Sequence, residues 1–128
     1  MNTTLPCEFR RWVAAHGDAP ALRAKRWGIW NPMSWREAGQ AVAEIAAGLH
    51  VLGLEPGEVA GVLAPTVAEA VLADLGAQTA GAVVACLHPG ETPRRLASQV
   101  AAARVRVLFV HDAEQLDRLR EGGGAPQG

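Results

Sequence analysis

The chain has 128 residues, which fits one compact domain able to bury a core without disulfide bonds or metal ions. Hydrophobic residues make up 49 % of it, and 12 basic residues nearly balance 13 acidic ones, which excludes wholesale disorder and gives no indication of nucleic-acid binding. Its two isolated cysteines, Cys7 and Cys86, indicate neither a disulfide framework nor a zinc site.

The sequence also lacks the patterns of a secreted or membrane-spanning chain. Residues 1–12 do not have the basic-then-apolar layout of a signal peptide. No apolar run approaches the roughly 18–20 residues that a membrane-spanning helix needs. We therefore expect a cytoplasmic chain without a transmembrane segment.

The first half of the chain predicts a helix, a β-hairpin and a longer second helix. A helical pattern covers residues 5–16, and residues 19–25 and 27–33 have the composition of two paired strands, the second an edge strand because it contains proline. The second helix begins at Ser34, which stands three residues before Glu37 in the spacing of a capping box. Its apolar stripe recurs every three or four residues, at Trp35, Ala38, Val42, Ile45, Leu49 and Leu52.

Three tryptophans, Trp27, Trp30 and Trp35, cluster around the predicted hairpin. They are consistent with a stacking platform or an exposed interface patch. They are also consistent with packing of the hairpin on the second helix, which is the favoured interpretation. The basic residues within positions 23–26 are interpreted as a solvated edge.

The second half alternates strands and helices. Strands are predicted at 58–63, 82–87 and 105–110, and helices at 67–80, from residue 93 onward, and at 113–120. Thr66 and Glu69 have the spacing of a second capping box at the start of the first of these helices. The continuous apolar run 82–87 is typical of a strand buried on both faces, and Cys86 is expected to be buried within it.

This order of elements predicts an α/β fold. Strands joined by helices in a βαβαβ sequence form a parallel sheet, and right-handed crossovers place helices on both of its faces, which gives three layers. The N-terminal helix, the short hairpin and the long helix precede this sheet. We expect one domain over residues 1–121, followed by a flexible glycine-rich tail over residues 122–128.

Phosphate-binding motifs are missing from the predicted loops. A dinucleotide site or a P-loop needs a glycine-rich turn whose backbone N–H groups approach the phosphate, and the first core strand is instead followed by Ala64, Pro65 and Thr66. Proline has no N–H to offer. The histidines lack the spacing of a metal site, and neither Ser34 nor Ser98 has a histidine partner that would indicate a Ser-His-Asp hydrolase.

His88 and His111 are the candidate cleft residues, because each directly follows a predicted core strand. The carboxyl ends of parallel strands are where such sheets bind ligands. His111 and Asp112 also have the residue types of a base and its orienting carboxylate. The favoured alternative is structural: Asp112 caps the last helix, and His88 begins a turn with Pro89 and Gly90.

Several stretches, taken in order, resemble the opening of AMP-forming acyl-CoA synthetases. That family has a short early strand, a [ST]-[YW]-x-E helix start, a helix ending in L-G-[LIV], a P-G-D-x-V-A segment, a longer A-G-A-containing stretch that ends in proline, and a closing strand. The corresponding residues here are 19–22, 34–37, 52–54, 56–61, 72–89 and 103–110. The Gly-Ile-Trp at 28–30 leans toward the long-chain fatty acyl branch, whereas His88 departs from the residues common before this proline.

The resemblance implies a parent enzyme that activates a carboxylate with ATP and Mg²⁺, forms an acyl-adenylate and transfers the acyl group to coenzyme A. The family's phosphate loop, magnesium-binding glutamate, ribose-binding aspartate and catalytic lysine lie beyond the matched region. No catalytic, cofactor-binding or metal-binding residue is therefore carried over to this sequence.

We therefore expect an N-terminal part of a fatty acid–CoA ligase that is inactive alone and holds no cofactor itself. Its expected partner is the remainder of the synthetase or, through an exposed apolar face, a second copy. The alternative is a free-standing interaction module or a weak adenine-nucleotide-binding module, with a site near His88 and His111.

Overall fold

A computed structural model of the chain describes residues 4–122. Its elements in chain order are α1 (Leu5–His16), β1 (Pro20–Arg26), β2 (Ile29–Ser34), α2 (Trp35–Val51), β3 (Val59–Leu63), α3 (Ala68–Thr79), β4 (Val83–Leu87), α4 (Pro93–Ala103), β5 (Val105–Val110) and α5 (Ala113–Glu121). Over residues 4–122, no helix combines the length and the apolar character needed to cross a membrane.

Strand β3 lies at the centre of a three-stranded parallel sheet, with β4 on one side and β5 on the other. The chain runs from β3 through α3 to β4, and then through α4 past β3 to β5. Since these crossovers run in opposite directions across the sheet, right-handed connections place α3 and α4 on opposite faces. The predicted α/β fold, with its preceding helix, hairpin and long helix, is confirmed.

Alternate residues of the strands point to the two faces and fill separate cores. On one face, Ala60 of β3 packs with Ala77 of α3. On the other face, Leu63 of β3 packs with Leu96 of α4 and Leu119 of α5. A further cluster joins α1, α2, α3 and the hairpin, and its buried members are Phe9, Ala38, Val42 and Leu72.

Helix α2 begins with the predicted capping box. The Glu37 N–H donates to Ser34 Oγ at 3.1 Å, and the Ser34 N–H donates to Glu37 Oε1 at 3.0 Å. Each side chain thereby satisfies a backbone donor that the first helical turn leaves without a partner. This local pairing fixes where the hairpin ends and the long helix starts.

The predicted apolar stripe of α2 is buried or half-buried except at its last member. Leu49 is 2 % exposed, but Leu52 is 69 % exposed and is the C-cap of the helix. The chain turns at Gly53, which has a φ of +86° that only glycine adopts cheaply. Leu54, just beyond this turn, takes the buried place in the core beside Leu49.

The second predicted capping box, from Thr66 to Glu69, is wrong. Helix α3 begins at Ala68, and its N-cap is Val67, which makes no side-chain hydrogen bond. The Glu69 carboxylate instead accepts a hydrogen bond from Arg26 Nη2 at 2.6 Å. The box fails because the helix starts one residue later than predicted, and Glu69 pairs instead with a residue 43 positions away in the chain.

Strand β4 is not buried on both faces as predicted. Val83 is 56 % exposed, and Cys86 is exposed rather than buried. The reason is that β4 is an outer strand of the described sheet, paired only with β3. The helices cover the centre of the sheet better than this edge.

The three tryptophans do not share one environment. Trp35 packs as predicted, with its ring centroid 5.9 Å from that of Phe9 and 5.9 Å from that of Trp12. Trp27 and Trp30 are 98 % and 62 % exposed, so the packing interpretation is wrong for them. They stand at the turn end of the hairpin, whereas the helices pack against its other end.

The predicted tail over 122–128 lies almost entirely outside the described residues. Gly122 is the exception, because it is the C-cap of α5.

Candidate functional site

A crevice of about 450 Å³ opens where the carboxyl ends of β3 and β5 meet. After β3 the chain crosses to form β4 on one side of β3, and it later returns to form β5 on the other side. The gap between the carboxyl ends of β3 and β5 is therefore a topological switch point. The walls are mainly apolar, and they are formed by Val62, Ala64, Val67, Ala70, Ala73, Phe109 and Val110. This position is where open parallel sheets hold ligands or neighbouring segments.

The rim of the crevice carries an ion pair between the hairpin and α3. Arg26, the last residue of β1, donates to Glu69 in the first turn of α3 at 2.6 Å. The two side chains are 66 % and 59 % exposed, so solvent screening limits the pair to at most about 1 kcal/mol. It joins the hairpin to α3 beside the crevice, and no local sequence signal predicts it.

His111 lines the crevice, as its place after a core strand predicts. Its backbone N–H donates to the Leu63 carbonyl at 3.1 Å, which extends the pairing of β5 with β3 by one residue. Asp112 does not orient its ring. The Asp112 carboxylate accepts from the Gln115 N–H at 3.0 Å and caps α5, as the structural alternative proposed.

His88 lies apart from His111, because β4 and β5 are on opposite sides of β3. Its Nδ1 accepts a hydrogen bond from the Gly90 N–H at 2.9 Å, so the ring shapes the turn after β4. The Arg118 guanidinium of α5 donates to the carbonyl oxygens of Pro89 and Glu91 and holds the same loop. The structure therefore does not bring the two predicted histidines into one site.

The described residues do not fit the triphosphate or magnesium ion of an ATP complex. The loop after β3 contains Pro65, which has no N–H to donate to a phosphate. Between Thr4 and Gly122, no three side chains of the His, Cys, Asp or Glu type are grouped to hold a metal ion. We derive no catalytic step from these residues.

Comparison of the sequence with protein-family profiles identifies the family of this chain. The profile described as "AMP-binding enzyme" matches residues 9–127, nearly the whole chain. The chain belongs to the AMP-binding enzyme family. The resemblance to acyl-CoA synthetases drawn from residues 19–110 is thereby confirmed.

Curated relatives of this AMP-binding chain are acyl-CoA ligases several times longer than it. It is 31 % identical to the long-chain-fatty-acid–CoA ligase heimdall of Drosophila melanogaster, over 91 % of this chain and 18 % of that protein. It is 44 % identical to 4-coumarate–CoA ligase-like 5 of Oryza sativa subsp. japonica, over 54 % of this chain and 13 % of that protein. The chain thus spans less than a fifth of the length of these two relatives.

Solved structures share the fold at low sequence identity. The structure of VinN with L-aspartate has a TM-score of 0.88 at 24 % identity, covering 97 % of this chain and 34 % of that one. The N-terminal subdomain of Klebsiella oxytoca NpsA has a TM-score of 0.77 at 20 % identity, covering 88 % of this chain and 28 % of that one. These likenesses establish the fold of the AMP-binding chain.

Proposed function

We propose that the chain acts as the N-terminal subdomain of an AMP-forming acyl-CoA ligase, as one sheet of the enzyme body and one wall of its substrate cleft. The family match over residues 9–127 supports the parent enzyme. The observation that carries the structural role is the crevice between β3 and β5, whose mainly apolar walls suit contact with a neighbouring surface or an apolar substrate.

The proposed acyl substrate of the parent enzyme is a long-chain fatty acid. The relative from Drosophila melanogaster, whose name gives that substrate, aligns with 91 % of the chain. The coumarate-type relative from Oryza sativa aligns with 54 % of it. The longer alignment favours the fatty acid.

We assign the chemistry itself to other parts of the synthetase. Adenylation needs positioned donors and a metal ion to stabilise charge that develops on phosphate oxygens. The permanent cation at the crevice is Arg26, and its guanidinium is already paired with Glu69. We therefore propose that residues 1–128 alone form no acyl-adenylate. ATP, Mg²⁺ and coenzyme A would bind to the remainder of the synthetase.

The crevice and the outer strands are the proposed contact surfaces for that remainder. In the described sheet β4 and β5 each pair only with β3, and unpaired strand edges associate readily. When residues 1–128 are studied alone, a second copy would cover the same surfaces. The proposed compartment is the cytoplasm, where exposed free thiols such as Cys7 and Cys86 stay reduced.

ATP–pyrophosphate exchange tests the proposal directly. The complete reading frame that encodes these residues is assayed with hexadecanoate, 4-coumarate and acetate, in parallel with residues 1–128 alone. We expect exchange that depends on hexadecanoate in the complete frame and none in the 128-residue chain. Exchange by the short chain would contradict its proposed inactivity, whereas none by the complete frame would contradict the ligase role and favour the binding-module alternative.

A pair of matched variants tests the crevice as a cleft wall. Ala70→Phe fills the crevice from α3, whereas Ala47→Phe adds the same bulk on the exposed face of α2. In the complete frame, Ala70→Phe should lower the exchange rate or raise the KM for hexadecanoate, and Ala47→Phe should not. If the two variants behaved alike, the crevice would not be part of the substrate cleft.

A further inference from the structure

The turn of the β-hairpin holds a tryptophan in an unusual backbone conformation. Trp27 and Gly28 form the two-residue turn between β1 and β2, and their φ angles are +54° and +78°. Such turns favour Asn-Gly or Gly-Gly, and a bulky residue with positive φ is a rare exception. The Trp27 side chain is 98 % exposed, so no packing within the described residues repays this cost.

The outer face of the hairpin next to this turn combines an indole with cations. Lys25 stands directly opposite Trp30 in the strand pairing, with its Nζ 5.7 Å from the centroid of the Trp30 ring. Trp30 is 62 % exposed, and Arg23 lies two residues before Lys25 on the same face. Arg26 faces the other way and is paired with Glu69.

We propose that this hairpin tip, residues 23–30, docks on the surface of an anionic phospholipid bilayer. Trp27 and Trp30 would lie at the boundary between headgroups and acyl chains, where the amphipathic indole ring is favoured. Arg23 and Lys25 would contact the lipid phosphates, since cations close to such a surface are attracted by its negative potential. The charge complementarity is local, because the whole chain carries a formal net charge of −1.

The shape of the tip favours a bilayer over a protein partner. A stable protein interface buries roughly 800 Å² on each side and needs a broad complementary patch. The tip is a two-stranded projection with one indole at its apex and cations behind it, which suits shallow insertion into an interface. Such docking needs no membrane-spanning helix and goes beyond the proposed ligase role.

Vesicle co-sedimentation with the purified chain tests the docking. Vesicles of phosphatidylcholine mixed with phosphatidylglycerol are compared with vesicles of phosphatidylcholine alone, at low and high salt. We expect binding to the anionic vesicles that weakens with salt. Phospholipids brominated in their acyl chains should quench tryptophan fluorescence only when an indole enters the bilayer.

The variants are chosen so that the fold is kept. Trp27→Asn removes the indole but suits the positive φ, and Lys25→Gln removes one exposed cation. Val51→Ser is the control, because Val51 is an apolar side chain 87 % exposed on another part of the surface. We expect Trp27→Asn to reduce the quenching to the part contributed by Trp30, Lys25→Gln to weaken binding about fivefold, and Val51→Ser to change neither.

Two results would overturn the proposal. One is the absence of binding to anionic vesicles by the unchanged chain. The other is unaltered binding and quenching in Trp27→Asn, with circular dichroism confirming that the variant is folded. If Trp27→Asn instead changed only the oligomeric state seen by light scattering, the tip would be a contact between copies and the bilayer would be excluded.

Discussion

At the scale of single residues, the capping box of α2 is the clearest stabilising feature. Ser34 Oγ accepts from the Glu37 N–H at 3.1 Å, and an alanine at this position would leave that donor without its partner. We predict that Ser34→Ala lowers the free energy of unfolding by about 1 kcal/mol, as measured by urea denaturation. Ser98→Ala, at an exposed position within α4, is the control and should change it by less than about 0.5 kcal/mol.

The same cap makes stability depend on pH. The hydrogen bond from the Ser34 backbone N–H lowers the pKa of Glu37, with a smaller contribution from the Ser34 side chain. A carboxyl whose pKa is lower in the folded state stabilises the fold above its ordinary pKa, and this stabilisation is lost as pH falls through the lowered value. We predict that Glu37→Gln is less stable than the unchanged chain at neutral pH and that the difference shrinks in acid. A difference that is constant with pH would contradict the assignment.

At the scale of elements, the packing of α2 on α3 depends on a glycine. A Cβ built on Gly76 would lie 2.4 Å from Ile45 Cγ2, closer than atoms can approach. We predict that Gly76→Ala lowers the free energy of unfolding by about 1–3 kcal/mol because the helices must separate. Thermal denaturation measures this.

The control for this prediction lies in α2 itself. A Cβ at Gly48 would meet no other atom within 4 Å, so Gly48→Ala gains helix propensity without a clash. It should raise the free energy of unfolding by about 0.5–1 kcal/mol. If both alanine variants were more stable than the unchanged chain, α2 and α3 would not be in the close contact at Gly76 that the structure shows.

The helices and strands also show which features local sequence can predict and which depend on contacts between distant residues. Ser34 and Glu37 form their box as predicted, because both partners lie within one turn. The same pattern at Thr66 and Glu69 fails, because α3 starts one residue later with Val67 as its N-cap, and Glu69 binds Arg26, far away in the chain. The apolar run ending in Leu87 predicts a strand but not its place at the edge of the sheet, which depends on how the strands pair.

The candidate site was predictable to a similar extent. Parallel strands bring ligands to their carboxyl ends, and His111 lies beside the crevice at such an end. This rule could not separate His88 from His111, because the strand order β4-β3-β5 is a tertiary property. The Arg26–Glu69 pair and the exposure of Trp27 could likewise not be predicted from the sequence, since each depends on where the hairpin lies.

At the scale of the whole molecule, the crevice should decide whether isolated chains associate. Ala70→Glu places a carboxylate in the first turns of α3, where it suits the helix but would be buried in any contact made through the crevice. We predict that it raises the dissociation constant for self-association on the order of tenfold, measured by sedimentation equilibrium. Ala47→Glu, on the exposed face of α2, should leave it unchanged. Equal effects of the two variants would mean that association uses another surface.

The most direct test of the central claim, that this chain is a scaffold without its own adenylate site, is isothermal titration calorimetry. The purified chain is titrated with ATP and Mg²⁺ and then with a non-hydrolysable fatty-acyl-adenylate analogue, while light scattering records its oligomeric state. We predict no heat beyond dilution, from a chain that self-associates. Micromolar binding to a monomer would contradict the account and would point to a nucleotide site at the crevice beside His111.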